Sequence, residues 1–414
     1  MTAPARVASG PAPDAPTDGA RRPGVLAVAL LLVVVTVGWR RGEYFTGSLD
    51  PVVLAKAGLS ALALAGAFLL AASGPRLRLG TAWLWWLGVV LGCSVFGALA
   101  SGDLAAGGTV AVRVAVLGAT VHLLLRAAPG LQVVTALAVA CGLVAAVAAV
   151  TGLPTLAEGR LAGGLPALSP NELSLLAGVV VLVLAWRTVL ERAGWADALA
   201  GAAFLGVIWA TGSRTGLLML LVALAVMALY LRRPPVGLVV GGLLLGGLAV
   251  VGAATTGVVT AVVTRDGDGV GTLESRFIAW RAALDLPRSA WQEVFGGGMA
   301  LKVIPIKGQW WDEQPLDSSW VSLLVQAGVL GLAVGLGWAL WALRGAARTP
   351  RPVRVLFLGL LVFVVGRSTV ESGMFDATPA FLLLAALSAL AERGSADRLA
   401  AEAETLAPAS PRSW

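Results

Sequence analysis

Arg160, Arg214, Arg276 and Arg281 have the means to do chemistry: the first two lie beside or inside long apolar runs, and the last two lie on an amphipathic stretch of the one long polar interruption. An arginine at membrane depth costs about 2.5–3.5 kcal/mol on insertion scales, so each calls for a partner or a role. Several arginines converging on one cavity suit a polyanion, because the planar guanidinium meets phosphate oxygens two at a time. A diphosphate leaving group held this way has its developing charge stabilised without a metal.

The settings of these residues differ. Arg160 lies in Glu158-Gly159-Arg160-Leu161-Ala162-Gly163-Gly164, ahead of Ser169-Pro170-Asn171-Glu172. Ser169 reads as an N-cap with Pro170 at the first helical position, and free amides there would favour an anion. A Gly-rich turn carrying a solvated Arg160 is the competing reading. Arg214, in Thr211-Gly212-Ser213-Arg214-Thr215-Gly216, is flanked by apolar sequence on both sides and is expected inside the bundle.

Arg276 and Arg281 lie on a short amphipathic helix, where Leu273, Phe277, Trp280 and Leu284 recur at helical spacing. Arg281 can pair with Asp285 four residues on. Asp317-Ser318-Ser319 stands at the start of a further apolar run, where an ordinary N-cap is the simple reading. Lys56 and Arg113 also fall within apolar runs, with Asp103, Glu172 or Glu371 as partners or a polar cavity as their setting. His122 reads as structural.

These residues need elements to position them, and composition says which kind. The chain is 58 % hydrophobic and 13 % charged, with mean hydropathy +0.86. A soluble domain of this length has no such mixture, which leaves an all-α polytopic membrane protein. The net charge of +7 does not call for nucleic acid, since membrane proteins concentrate arginine on cytoplasmic loops. Cys93 and Cys141 sit in apolar runs, and His122 is the single histidine, so no disulfide or metal-ligand spacing is seen. No acidic pair has metal spacing either, and no cofactor is expected.

A bilayer core takes roughly 20 helical residues. On that measure the spans are 24–39, 51–73, 80–99, 107–125, 131–151, 170–190, 197–212, 215–231, 235–257, 317–343, 353–371 and 376–391. That makes about twelve transmembrane helices in one domain over 24–391. Residues 1–23 and 392–414 are expected as disordered cytoplasmic tails. Arg76, Arg78, Arg126, Arg187, Arg192, Arg232, Arg233, Arg344, Arg348, Arg351 and Arg354 fall on one set of alternating loops. The positive-inside rule puts that set in the cytoplasm, with both termini, and Arg40-Arg41 is the main exception. The large loop 258–316, with its short amphipathic helices, then lies outside. No inverted repeat of broken helices is visible, which counts against a secondary transporter.

In order, these motifs resemble the O-antigen ligase and polymerase (Wzy-like) superfamily of bacterial membrane glycosyltransferases. The resemblance rests on Arg160-Leu-Ala-Gly163 and Ser169-Pro170-Asn171, then Thr211-Gly-Ser213-Arg214-Thr-Gly216. It continues with Ser275-Arg276-Phe-Ile-Ala-Trp280, Phe295-Gly296-Gly-Gly298, Asp317-Ser318-Ser319-Trp320 and Val325-Gln326-Ala327-Gly328, and covers about Leu153–Trp341. It implies transfer of a glycan from a polyprenyl-diphosphate-linked donor, outside the bacterial inner membrane, to a glycan, lipid or protein acceptor. A polymerase would extend lipid-linked repeat units into a surface polysaccharide, with a flippase and a chain-length regulator as partners. A ligase would pass the finished glycan to its final acceptor. A transporter of an anionic lipid-linked glycan would use the same arginines without bond formation.

By position the resemblance puts Arg160, Arg214 and Arg276 on the donor diphosphate or glycan and carries over Asn171; Arg214, Arg276 and Asp317 are the expected catalytic set, and Arg160, Asn171, Arg281 and Ser318 the expected substrate contacts. The ligases carry a histidine near the end of the large loop, and this chain has Asp317-Ser318 there. Asp317 then takes the base role, or departure of the diphosphate drives the reaction with little base assistance. Ser169 also stands where asparagine is common in the family, so Asn171 is the residue of that motif that carries over.

Overall fold

The computed structural model describes residues 22–40, 50–74, 77–190, 192–230, 272–306 and 313–406. The first eight helices are α1 (Arg22–Thr36), α2 (Pro51–Ala72), α3 (Ala82–Ala100), α4 (Leu104–Ala127), α5 (Gly130–Thr151), α6 (Pro170–Val189), α7 (Trp195–Thr211) and α8 (Arg214–Leu229). Two short helices follow, α9 (Thr272–Leu284) and α10 (Ala290–Phe295), and then a hairpin of β1 (Val303–Pro305) and β2 (Glu313–Pro315). The chain returns to the bundle in α11 (Ser319–Ala346), α12 (Arg351–Arg367) and α13 (Pro379–Ala391), and continues to α14 (Ala396–Glu404).

Every expected span within the described residues coincides with a helix; 235–257 lies outside them. Among the described residues six helices, α2 to α6 and α11, are long and apolar enough to cross a membrane. The others are shorter, so a count of twelve full-length spans does not follow from the helices themselves. The expected break at Thr211-Gly212-Ser213 is present. Gly212 ends α7 at φ 61°, and Ser213 caps α8 by accepting from the Gly216 amide at 3.3 Å.

Burial separates the inner helices from the outer ones. In α13 every residue from Phe381 to Leu390 is buried, as expected of a helix apolar all round at the centre of a bundle. In α2 only 17 % of the apolar window is buried, and Leu54, Leu62, Phe68 and Leu69 are exposed. Such a surface is stable against lipid rather than water.

Helix α11 is broken at Gly328, whose φ of 71° suits glycine. A Cβ there would stand 2.2 Å from the Val294 carbonyl oxygen. The break frees the Val325 and Gln326 carbonyls, which accept from the Gly297 and Gly298 amides at 2.8 and 2.9 Å. The three glycines after α10 thereby dock the external segment on the bundle.

Residues 392–406 are not the disordered tail expected of them. They turn into α14, which staples the α4–α5 corner. Glu402 accepts from the Gly130 and Leu131 amides at 2.8 Å each, and Arg398 donates to the Leu125 carbonyl at 2.6 Å and to that of Ala128. One acid thus caps the start of α5 and one arginine the end of α4, each matching its helix dipole. Residues 1–21, 258–271, 307–312 and 407–414 of the expected tails and loop lie outside the described residues.

Candidate functional site

The segments 37–40, 152–169, 212–213, 272–306, 313–318 and 368–378 meet at one end of the bundle, and the polar side chains gather there. Arg276 reaches this centre because of its place on α9. Ala279 and Ala283 are buried against Ile304, Ile306, Leu316 and Val325. Arg276 precedes them by three and seven residues and so shares their face. Its Nη2 donates to Glu371 Oε1 at 2.9 Å, and its Nε lies 3.7 Å from Asp317 Oδ2. Phe277 and Leu284 point outward and are exposed.

Arg281 is not brought in. Five residues beyond Arg276 is about 140° round the helix, and Arg281 is exposed. The pairing expected with Asp285 is not among the ion pairs of the described residues.

Glu371 is the hub. Its Oε1 also accepts from Asn171 Nδ2 at 2.8 Å, which ties the first turn of α6 to the loop after α12. The Asn171 carbonyl accepts from Arg367 Nη2 at 2.8 Å, and Arg367 is 4 % exposed. Arg367 Nη1 and Ser174 Oγ are buried without a hydrogen-bond partner among the described residues. Both face Gly216, where a Cβ would stand 2.9 Å from the first and 2.0 Å from the second. Glycine at this position lets α8 approach α6 and α12.

The start of α6, expected to favour an anion, is capped by the chain itself. Ser169 Oγ accepts from the Glu172 amide, and Glu172 Oε2 accepts from the Ser169 amide, both at 3.1 Å. This reciprocal capping box satisfies two amides at that helix start, those of Ser169 and Glu172. Glu172 Oε1 also accepts from the Gly38 amide at 3.3 Å.

Arg160 and Arg214 form a neighbouring arm. Arg160 Nε donates to the Thr211 carbonyl at 2.9 Å, and the Leu161 amide to the Ala210 carbonyl at 2.9 Å. The Arg160 loop is therefore held against the turn that carries Arg214. Arg214 is exposed, contrary to the expectation of burial, and occupies the first position of α8. A cation there opposes the helix dipole by about 0.3–1 kcal/mol, so helix stability does not account for it.

Asp317 precedes the cap of α11 rather than forming it. Ser318 is the N-cap, 2 % exposed, with its oxygen directed at the Val321 amide, so it is buried in structure rather than presented to a substrate. Asp317 keeps 37 % of its side chain exposed. Burial among protein groups and the like charge of Glu371 push its carboxyl up to about 6, against the opposing pull of Arg276. Ser319 Oγ donates to the Glu371 carbonyl at 2.8 Å and accepts from the Met374 amide at 3.1 Å, which holds the loop that carries Glu371.

A second charged set adjoins the first. Lys302 pairs with Asp376, and Arg113 is near enough to Asp376 to act on its charge. Burial opposes ionisation of Asp376, but Lys302 and the Ala377 amide outweigh it and hold the carboxyl below the usual range. Arg113 Nη2 and Lys56 Nζ donate to the carbonyls of Val35 and Val37 at 2.6 and 2.8 Å, which places two cations at the end of α1. Of the partners expected for these two, Glu172 lies within electrostatic reach of Lys56, whereas Arg113 faces Asp376.

The structure thus brings together Arg276, Asp317 and Asn171, places Arg160 and the Arg214 turn beside each other, and leaves Arg281 and Ser318 out. Glu371 and Arg367 were missed as site residues. Their signal was an acid and an arginine interrupting the last apolar pair. Among the described residues no three His, Cys, Asp or Glu side chains gather as a metal set. No protein-family model matches the chain, and no curated protein compared with it matches.

Proposed function

We propose that this chain is a bacterial membrane glycosyltransferase that uses a polyprenyl-diphosphate-linked glycan as donor and extends lipid-linked repeat units into a surface polysaccharide. The observation that carries the proposal is the Arg276–Asp317–Glu371 cluster, in which an acid titrating near neutrality stands beside a guanidinium. Arg276 Nη1 has no protein partner among the described residues, and is the group offered to phosphate oxygens. Arg214, with Arg160 beside its turn, supplies further positive charge.

In this reaction an acceptor hydroxyl oxygen attacks the anomeric carbon of the donor. The hydroxyl proton passes to the Asp317 carboxylate. The bond from the anomeric carbon to phosphate oxygen breaks, and its electron pair leaves on the diphosphate, whose charge Arg276 and Arg214 offset. Asn171 and Glu371 hold Arg276 in place. The polar end lies outside the cytoplasmic membrane, because Arg78, Arg126, Arg187, Arg192, Arg348 and Arg354 lie toward the opposite end.

The test is reconstitution of the purified chain with an undecaprenyl-diphosphate-linked oligosaccharide. Longer lipid-linked products are expected. Transfer only to a lipid core or a protein would make it a ligase, and movement across the bilayer without new bonds would make it a transporter.

A further inference from the structure

Beside Ser319, whose hydroxyl bonds the Glu371 carbonyl, lies an open cleft whose space of about 390 Å³ includes open solvent. Its polar wall is made by Lys302, Asp376, Ser322, Gln326 and Ser372, with Phe375 as its aromatic side. Leu316 and Ser319, which flank Asp317-Ser318, also line it. One short stretch of chain therefore separates the cleft from the Arg276 cluster and serves both.

The chemistry of the cleft differs from that of the cluster. Its one cation, Lys302, is already paired with Asp376, so no unpaired positive charge among the described lining residues invites an anion. What remains is hydrogen-bonding capacity of both senses. Gln326 Nε2 is used on the Leu301 carbonyl at 2.9 Å, which leaves Oε1 to accept. Ser322 Oγ donates to the Leu316 carbonyl at 3.0 Å and keeps its lone pairs. Asp376 is a carboxylate able to accept from neighbouring hydroxyls, and Ser372 is exposed at the mouth. Donors, acceptors and an aromatic edge without net charge suit the polar rim and apolar face of a sugar ring.

We propose that this cleft is the subsite for an uncharged sugar of the acceptor, which delivers its hydroxyl past Ser319 to Asp317. This rests on the glycan-transfer reading for the acceptor's role, but sugar binding by the cleft stands separately. Sugar and diphosphate would occupy two compartments that share the wall from Pro315 to Ser319.

The test uses the full chain in lipid nanodiscs and two kinds of probe. One is a panel of free uncharged saccharides (glucose, galactose, mannose, rhamnose, N-acetylglucosamine and their disaccharides); the other is undecaprenyl diphosphate. At least one saccharide is expected to bind saturably, at least tenfold more weakly in Ser372→Trp and within twofold of wild type in Arg276→Ala. Undecaprenyl diphosphate is expected to show the reverse dependence. In Ser372→Cys the bound saccharide should slow maleimide labelling, against a low background because Cys93 and Cys141 are buried. That measurement holds if the tryptophan variant does not fold.

No saturable binding by any saccharide overturns the proposal. So does saccharide binding indifferent to Ser372→Trp without protection of Ser372→Cys, or loss of undecaprenyl diphosphate binding in a folded Ser372→Trp. If saccharides bind through the cleft while undecaprenyl diphosphate shows no dependence on Arg276, the cleft stands and the donor reading falls.

Discussion

Arg276 donates to Glu371 Oε1 at 2.9 Å across 95 residues of chain. This bond fastens the external helix α9 to the loop between α12 and α13, and it sets the charge that Asp317 feels.

Replacing Glu371 by Gln keeps an acceptor for Arg276 and Asn171 but removes a negative charge next to Asp317. Since that charge helps to hold the Asp317 carboxyl up at about 6, its removal lowers the value. The acid limb of a transfer-rate pH profile should therefore move to lower pH in Glu371→Gln, and to higher pH in Arg276→Ala to the extent that activity survives. A limb that stays in place in Glu371→Gln separates Asp317 from the rate.

Asp317→Asn should cut glycan transfer at least about 100-fold, the lower range for loss of general base catalysis. The same change should raise the melting midpoint at pH 7.5. An acid whose folded value is raised from 3.8 to about 6 favours the fold most below pH 3.8 and loses that contribution as pH rises through 6. Asparagine removes the penalty left at neutral pH. The gain in midpoint over wild type should shrink as the buffer is taken from pH 7.5 toward pH 4. Full activity in Asp317→Asn would remove it as the base while leaving the arginine cluster intact.

Arg276→Ala should abolish long-chain product, and Arg281→Ala should leave it within twofold of wild type, although the two lie on one short helix. Arg276→Lys should not restore activity, because an ammonium cannot hold Glu371 and a phosphate oxygen in the fork geometry of a guanidinium. Product chain length on a gel, at matched membrane expression, reads the difference. Equal losses at both positions would mean that α9 acts as a whole and not through the face that carries Arg276.

Glu402→Ala should lower the melting midpoint, because the Gly130 and Leu131 amides lose their cap at a helix start. Loss of such a cap costs about 0.5–2 kcal/mol. Truncation after Ala391 should lower it further, since Leu399 and Ala403 are buried. A truncated chain that melts with the full one would return 392–414 to the standing of a tail.

The sequence by itself determined the elements. Apolar runs near membrane length, the cap at Ser169-Pro170 and the break at Gly212-Ser213 are local, and local physics places helices there. The order of the motifs also singled out Arg276, Asp317 and Asn171 as candidate site residues. The tertiary structure decided which charges meet. Helical spacing states which residues share a face of one helix, but not which helix lies opposite. Thus Arg276 enters and Arg281 does not because Ala279 and Ala283 pack against the hairpin. Glu371, read from the sequence as a partner for Lys56 or Arg113, became the acceptor for Asn171 and Arg276 because α6, α9 and α12 converge. The Lys302–Asp376 pair joins the segment after the three glycines to the loop after α12. Pairings between distant segments have no periodic signature in a single chain; packing alone creates them.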